Sequence, residues 1–124
     1  MDQVTTVFDQ IGGQTSVEAV VESFYDEVLA DDRINGFFAD VDIDSQKLKM
    51  KLFLSRLLTG QADNTDSYMR HSHKGLVDRG LDESHFDAVA GHLQATLEGL
   101  SVPPHLVSQI MTAVGGLRDG VLNR

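Results

Sequence analysis

The chain has 124 residues, enough for one domain with a single core, and we expect residues 1–124 to form that domain. Its net charge of −9 excludes binding driven by phosphate backbones or anionic membranes. The absence of cysteine excludes disulfides, thiolate catalysis, iron–sulfur ligation and thioether attachment of a haem. No signal or membrane-spanning pattern is seen, so a cytoplasmic protein is expected.

The first third of the chain predicts two helices and an aromatic corner. Apolar residues over 4–11 follow a helical period that stops at Gly12-Gly13. Thr15 or Ser16 is the expected cap of a second helix that reaches residue 29. Phe37 and Phe38 follow at a corner, where two adjacent rings pack into a core or form the wall of a site for a flat ligand.

The rest of the chain predicts further helices and no strand. Asp44 or Ser45 is expected to cap a helix to residue 58 that is apolar around most of its circumference, which predicts burial on more than one side. A loop over 61–67 precedes a helix that ends near Gly80. The last two helices are expected to begin near residue 82 and at Pro103-Pro104. The sequence therefore predicts an all-α fold.

His73 is the most informative polar residue of this pattern. On a helix it shares one face with Met69, Leu76 and Val77, so the imidazole has apolar neighbours. The simpler interpretation is a core histidine with a satisfied hydrogen bond, because metal sites normally need several protein ligands. Haem is the exception, since its porphyrin supplies four ligands and a single proximal histidine completes the attachment. Local pattern alone leaves both interpretations open.

A second helical face carries a different set of groups. Gln46, Lys49, Met50 and Phe53 are separated by three, four and seven residues, so they lie on the same side of their helix. If this face lies opposite His73, it brings an amide, an amine, a thioether and a ring to the distal side of a cofactor.

Several short segments match the truncated haemoglobins in order and spacing. The matching segments are Gly12-Gly13, Phe24-Tyr25, His73-Lys74 and the stretches 31–34, 37–42, 68–70 and 85–89. The chain most resembles the first group of that family, and within it the cyanobacterial members. The resemblance implies a two-over-two helical sandwich around haem b. It also implies that His73 ligates the iron, that Tyr25 lies in the distal pocket and that Phe38 packs on the porphyrin. The remaining residues expected to line the haem are Phe37, Gln46, Lys49, Met50, Phe53, Met69, Leu76 and Phe86.

The resemblance also indicates a function. Bound dioxygen takes electron density from ferrous haem, so the Tyr25 hydroxyl and the Gln46 amide are expected to stabilise it by donating hydrogen bonds. O2, NO and CO are the expected ligands, and reaction of oxygen with nitric oxide to give nitrate is the expected activity. The chain has no flavin or nicotinamide motif, which predicts an external reductase. A monomer is expected.

Two positions depart from the cyanobacterial pattern. Lys49 stands where those relatives carry a histidine that can bind the iron as a sixth ligand. A neutral Lys49 amine on the iron would favour an alternative function in electron transfer or redox sensing, whereas a Lys49 ammonium in solvent leaves the iron open. Leu117 stands nearest to a histidine that bonds covalently to haem in some relatives, so noncovalent haem is expected. Surface or helix-end roles are expected for His71, His85, His92 and His105.

Overall fold

The structure is a computed structural model that describes residues 6–60 and 65–123, and the backbone alone of 65 and 66. The described parts contain α-helices, one short 3-10 helix and no strand, which confirms the all-α prediction. The elements are α1 (Val7–Ile11), α2 (Gln14–Leu29), the 3-10 helix η1 (Asn35–Phe38), α3 (Ile43–Leu58), α4 (Thr65–Asp78), α5 (Glu83–Gly99), α6 (Pro104–Gly115) and α7 (Arg118–Leu122).

Helix α2 is the centre of the core. Its apolar stripe is buried throughout and packs against α3 on one side and α5 on another. Helix α5 in turn packs on α6, while α4 lies against the short α7. The buried residues contributed by α2 are Val17, Val20, Val21, Phe24, Tyr25 and Val28. These pairings place α2 between the helix that carries the predicted distal face and the final helices.

The glycine pair makes a sharp corner, but the next helix starts earlier than the sequence suggested. Gly12 and Gly13 adopt φ values of 117° and 73°, which glycine adopts without the steric cost of a Cβ. The Gly13 carbonyl accepts a hydrogen bond from the Val17 backbone N–H at 3.1 Å, so Gly13 itself is the N-cap. The expected cap at Thr15 or Ser16 was therefore wrong.

Helix α3 is capped by a residue that precedes both predicted caps, Asp42. The Asp42 carboxylate accepts hydrogen bonds from the backbone N–H groups of Asp44 at 3.1 Å and Ser45 at 3.3 Å. Aspartate satisfies the orphan donors of a first turn well, so the helix begins at Ile43, and the caps predicted at Asp44 or Ser45 were wrong.

The predicted burial of α3 on more than one side holds only in part, because the helix packs against α2 and α1 but leaves its outward face in solvent. Leu54 and Leu58 are buried, whereas Leu48 and Leu52 are each 60% exposed. The helix therefore has one face toward the core and an outward face with two leucines in solvent. Burial depends on which neighbouring helix covers each face, and the helical period does not contain that information.

Two other helix boundaries differ from the sequence prediction. Helix α4 starts at Thr65, inside the stretch expected to be a loop, of which 61–64 lie outside the described residues. It closes at Gly80 (φ 100°), where the N–H groups of Gly80 and Leu81 bond the carbonyls of Val77 and Leu76. The predicted final helix is interrupted after Gly115, because paired glycines weaken a helix interior.

Candidate functional site

His73 lies half-buried on α4 with its ring oriented by the helix itself. Its Nδ1 is 2.9 Å from the backbone carbonyl of Met69, one turn earlier. That carbonyl fixes the proton on Nδ1 and leaves the Nε2 lone pair directed away from the helix. Burial lowers the pKa of His73, and the Met69 hydrogen bond opposes this shift only in part. The ring is therefore neutral at neutral pH, as an iron ligand must be.

The apolar neighbours predicted for His73 lie beside it on the same helix. Met69 is buried, and Leu76 and Val77 are half-buried. The exposed side of α4 carries His71 and Lys74. The helix therefore separates a ligand-bearing face from a solvent face, and His71 lies on the solvent face as expected.

Tyr25 is the most buried of the polar site residues. It is 2% exposed, and its ring makes edge-on contacts with Phe24 at 5.1 Å and Phe38 at 5.9 Å between centroids. Burial raises the pKa of the Tyr25 phenol, and an interaction with the Gln46 side chain partly offsets that rise. The phenol therefore keeps its proton at neutral pH. Three separate elements, α2, η1 and α3, bring these groups together.

The residues of the predicted distal face of α3 become more exposed with distance from the core. Gln46, Met50 and Phe53 are half-buried, and Met50 packs against the core. Phe53 stacks on Tyr68 of α4 with centroids 6.0 Å apart, so a ring pair joins the two helices. Lys49 is exposed at the edge of the face. The Phe53–Tyr68 contact could not be predicted from local pattern, because its two partners lie on different helices.

Phe37 and Phe86 lie in different surroundings from Phe38. The half-buried Phe37 ring meets His85 edge-on at 5.0 Å and lies 5.7 Å from the Arg79 guanidinium. Phe86 is buried and lies 4.6 Å from the Arg118 guanidinium, which faces its ring. These cations keep their charge near water while covering aromatic surface. Contact of either ring with haem stays a prediction.

The other histidines divide into two kinds. His71 and His105 are exposed, and His85 accepts a hydrogen bond from the Asp82 backbone N–H at 3.0 Å, which is a helix-end role as expected. His92 differs from the expectation. It is half-buried, and its Nε2 lies 2.7 Å from Oδ2 of Asp31. This contact joins residues 61 positions apart, so local pattern could not reveal it.

Asp31 is the centre of that contact. Its carboxylate also accepts hydrogen bonds from Arg33, at 3.0 Å from Nε and 2.6 Å from a terminal nitrogen. The pKa of Asp31 is strongly lowered, first by the Arg33 side chain and then by His92. The cluster of Asp31, Arg33 and His92 therefore connects α5 to the corner between α2 and η1.

The donor set fits haem. His73 offers one neutral, oriented imidazole nitrogen, and buried or half-buried apolar and aromatic side chains accompany it on the same and facing elements. In residues 6–60 and 65–123 no cluster of three histidine or carboxylate side chains forms a metal site. Haem requires only one such ligand from the protein.

Comparison with known proteins identifies the family. The model of the bacterial-like globin family matches residues 6–123. The chain is 42% identical over 113 residues to the group 1 truncated haemoglobin GlbN of Synechocystis, a match that covers 90% of this chain and 91% of the relative. The chain belongs to the truncated haemoglobins.

Solved structures extend the comparison to the fold. The 2/2 haemoglobin of Synechococcus, determined with covalently attached haem, superposes with a TM-score of 0.87 at 38% identity, covering 96% of this chain and 99% of that one. The truncated haemoglobin of Tetrahymena pyriformis gives a TM-score of 0.82 at 33% identity, covering 94% and 97%. These findings confirm the predicted family, the two-over-two fold and the haem cofactor.

Membership of the truncated haemoglobin family defines the general function of this chain. This truncated haemoglobin is a haem-binding globin that binds diatomic gases such as O2. None of its described helices is both long and apolar enough to cross a membrane.

Proposed function

We propose that this truncated haemoglobin removes nitric oxide by converting it, with dioxygen, to nitrate. The observation that carries the proposal is the buried Tyr25 hydroxyl, which interacts with Gln46 where the distal face of α3 meets α2. A protonated phenol and an amide are hydrogen-bond donors, and donors are what a partly negative diatomic ligand requires.

Bound haem supplies the iron chemistry, which is gas binding and the one-electron oxidation that accompanies nitrate formation. His73 would hold the iron through Nε2, because the Met69 carbonyl keeps the ring proton on Nδ1. Phe38, Met50 and Phe53 exclude water from the distal side. Leu117 offers no nucleophilic nitrogen, so we infer that the haem is held without a covalent bond.

Tyr25 and Gln46 act on the same bound ligand as hydrogen-bond donors. The Tyr25 ring is fixed by Phe24 and Phe38, so its hydroxyl keeps one position. The Gln46 amide can donate one N–H to the ligand while it interacts with the phenol. Preorganised donors of this kind slow ligand loss and hold oxygen until nitric oxide arrives.

Each turnover needs one electron from outside the chain. We infer an external reductase, a monomeric protein and a cytoplasmic location. Lys49 supports the gas-binding function more than the redox alternative, because its side chain is exposed at the edge of the distal face. In the alternative, the Lys49 amine would turn inward and bind the iron.

The test is to mix oxygenated protein with nitric oxide in a stopped flow and to quantify nitrate. We expect rapid oxidation with one nitrate per haem. Tyr25→Phe and Gln46→Leu should lower the nitrate yield, because oxygen escapes before nitric oxide reacts. Slow oxidation, or oxidation without stoichiometric nitrate, would remove the proposal.

A further inference from the structure

Helix α3 differs in charge from the rest of the protein. The chain carries a net charge of −9, yet α3 contains four cations, Lys47, Lys49, Lys51 and Arg56, and one carboxylate, Asp44. Four of the ten lysines and arginines of the chain thus lie in this one helix. A local positive region on an acidic protein orients an approaching charged partner.

The outward face of α3 also carries two exposed leucines, more exposed large hydrophobic residues than any other helix in the described part of the chain. Leu48 and Leu52 are each 60% exposed, the highest values among the large hydrophobic residues that the structure describes as exposed. They are four residues apart, so they form one continuous patch. Burying these two leucines against a partner would favour association, because apolar area is removed from water.

The cations nearest to this patch are Lys49 and Arg56. Lys49 lies three residues before Leu52 and Arg56 four residues after it, so all three share a face. Lys47 and Lys51 instead contact Glu22 of α2 at 2.8 and 3.4 Å, which neutralises part of their charge. The outward positive charge therefore comes mainly from Lys49 and Arg56, both exposed.

We propose that this surface, defined as Leu48, Lys49, Leu52 and Arg56, docks an acidic electron-donor protein. Two leucines give an apolar centre, and the cations give a rim that complements carboxylates on the partner. A patch of this size suits a transient electron-transfer complex, which buries little surface and dissociates quickly.

The charge distribution favours a protein partner over a lipid bilayer or a second copy of this chain. At physiological ionic strength charges act over about 8 Å, so a small partner at α3 is affected mainly by the local cations. An extended anionic bilayer faces more of the protein and therefore its overall charge of −9. A second copy carries the same net charge, and its own α3 is cationic, so two such faces repel.

The position on α3 indicates electron donation. Lys49 belongs both to this surface and to the predicted haem-lining face, since it lies three residues after Gln46 and four before Phe53, so the two faces of the helix adjoin at Lys49. This assignment rests on the proposed function, which requires an external reductant.

The experiment is a calorimetric titration of the haem-loaded protein with an oxidised acidic [2Fe–2S] ferredoxin as the probe, at low and at physiological salt. We expect saturable binding that weakens with salt. The Leu48→Ser/Leu52→Ser double variant should lose about tenfold or more in affinity at both salt concentrations, in line with the lost apolar area. Arg56→Gln should lose several-fold at low salt only.

Two matched variants control for nonspecific effects. Gln109→Glu on α6 changes the net charge by the same −1 as Arg56→Gln, and Leu100→Ser removes another exposed leucine. Both should bind ferredoxin like the parent chain, and the haem spectrum should be unchanged in every variant. Equal weakening in Gln109→Glu would show a general charge effect and overturn the proposal.

Three other results would also overturn it. These are absence of saturable binding, binding of phosphatidylserine vesicles in place of ferredoxin, and concentration-dependent self-association that the leucine variant abolishes. The titration involves no gas chemistry, so it can fail while nitrate formation succeeds with a chemical reductant. Conversely, ferredoxin can bind even if nitric oxide yields no nitrate, which separates the two proposals.

Discussion

The two sides of the candidate site are built in different ways. On the proximal side, one helix supplies the ligand and its orienting group, since His73 and the Met69 carbonyl are one turn apart on α4. On the distal side, Tyr25, Phe38 and Gln46 come from three elements and meet only in the fold. The proximal side is therefore locally encoded, whereas the distal side depends on how α2 and α3 pack.

The largest effect is expected from removing the proximal ligand. His73→Ala should weaken haem binding by more than ~100-fold, because even groups that only orient a metal ligand contribute 10–100-fold. Haem transfer to a scavenging apoprotein measures this loss. His71→Ala, on the exposed side of α4, is the matched control and should retain haem. Added imidazole should restore the His73→Ala spectrum, and failure to do so would argue for a purely structural histidine.

The second largest effect is expected from removing the distal hydrogen-bond donor, the Tyr25 hydroxyl. Tyr25→Phe keeps the ring contacts with Phe24 and Phe38 but removes the hydroxyl. A hydrogen bond to a charged group contributes about 1.5–3 kcal/mol, so O2 dissociation should accelerate roughly 10–100-fold. Stopped-flow ligand replacement measures the rate. CO carries less charge and serves as the internal control; an equal change for CO would indicate altered packing.

Acid should affect the proximal side through His73. Its pKa is lowered in the folded protein, so the unfolded chain takes up a proton first as pH falls below the ordinary value of 6.5. The folded state then binds fewer protons, and the stabilisation present above pH 6.5 is lost as pH falls through the folded pKa. Haem release followed from pH 7 to 4 should increase, because the proton competes with iron for Nε2. Acid-independent release would contradict this ligation.

The smallest effect is expected at Lys49. Because Lys49 is exposed, Lys49→Ala should leave the ferric and ferrous spectra unchanged at neutral pH. The measurement is a spectral titration of both proteins into the alkaline range. A low-spin form that appears with rising pH and disappears in the variant would identify Lys49 as the sixth ligand and favour the redox function.

The difference between the locally encoded proximal side and the distal side explains which features could be predicted from sequence. The helical period located α4 and the neighbours of His73, since i, i+3 and i+4 relations are local. The family resemblance assigned Tyr25 to the distal side, which the periodicity alone left open. The exposure of Leu48 and Leu52 was missed, because their surroundings depend on distant helices. The same limit applies to His92 and Asp31, which are brought together only by the packing of α5 on the corner after α2.

The Asp31 cluster shows which helix positions each wall of the distal side. Asp31 is held by Arg33 within the corner and by His92 on α5, and Phe38 follows a few residues later. The wall formed by Phe38 is therefore anchored to α5, whereas Gln46 belongs to α3, which Lys47 and Lys51 link to Glu22 of α2. The two walls of the distal side thus depend on separate ion pairs, one set made with α5 and one with α2.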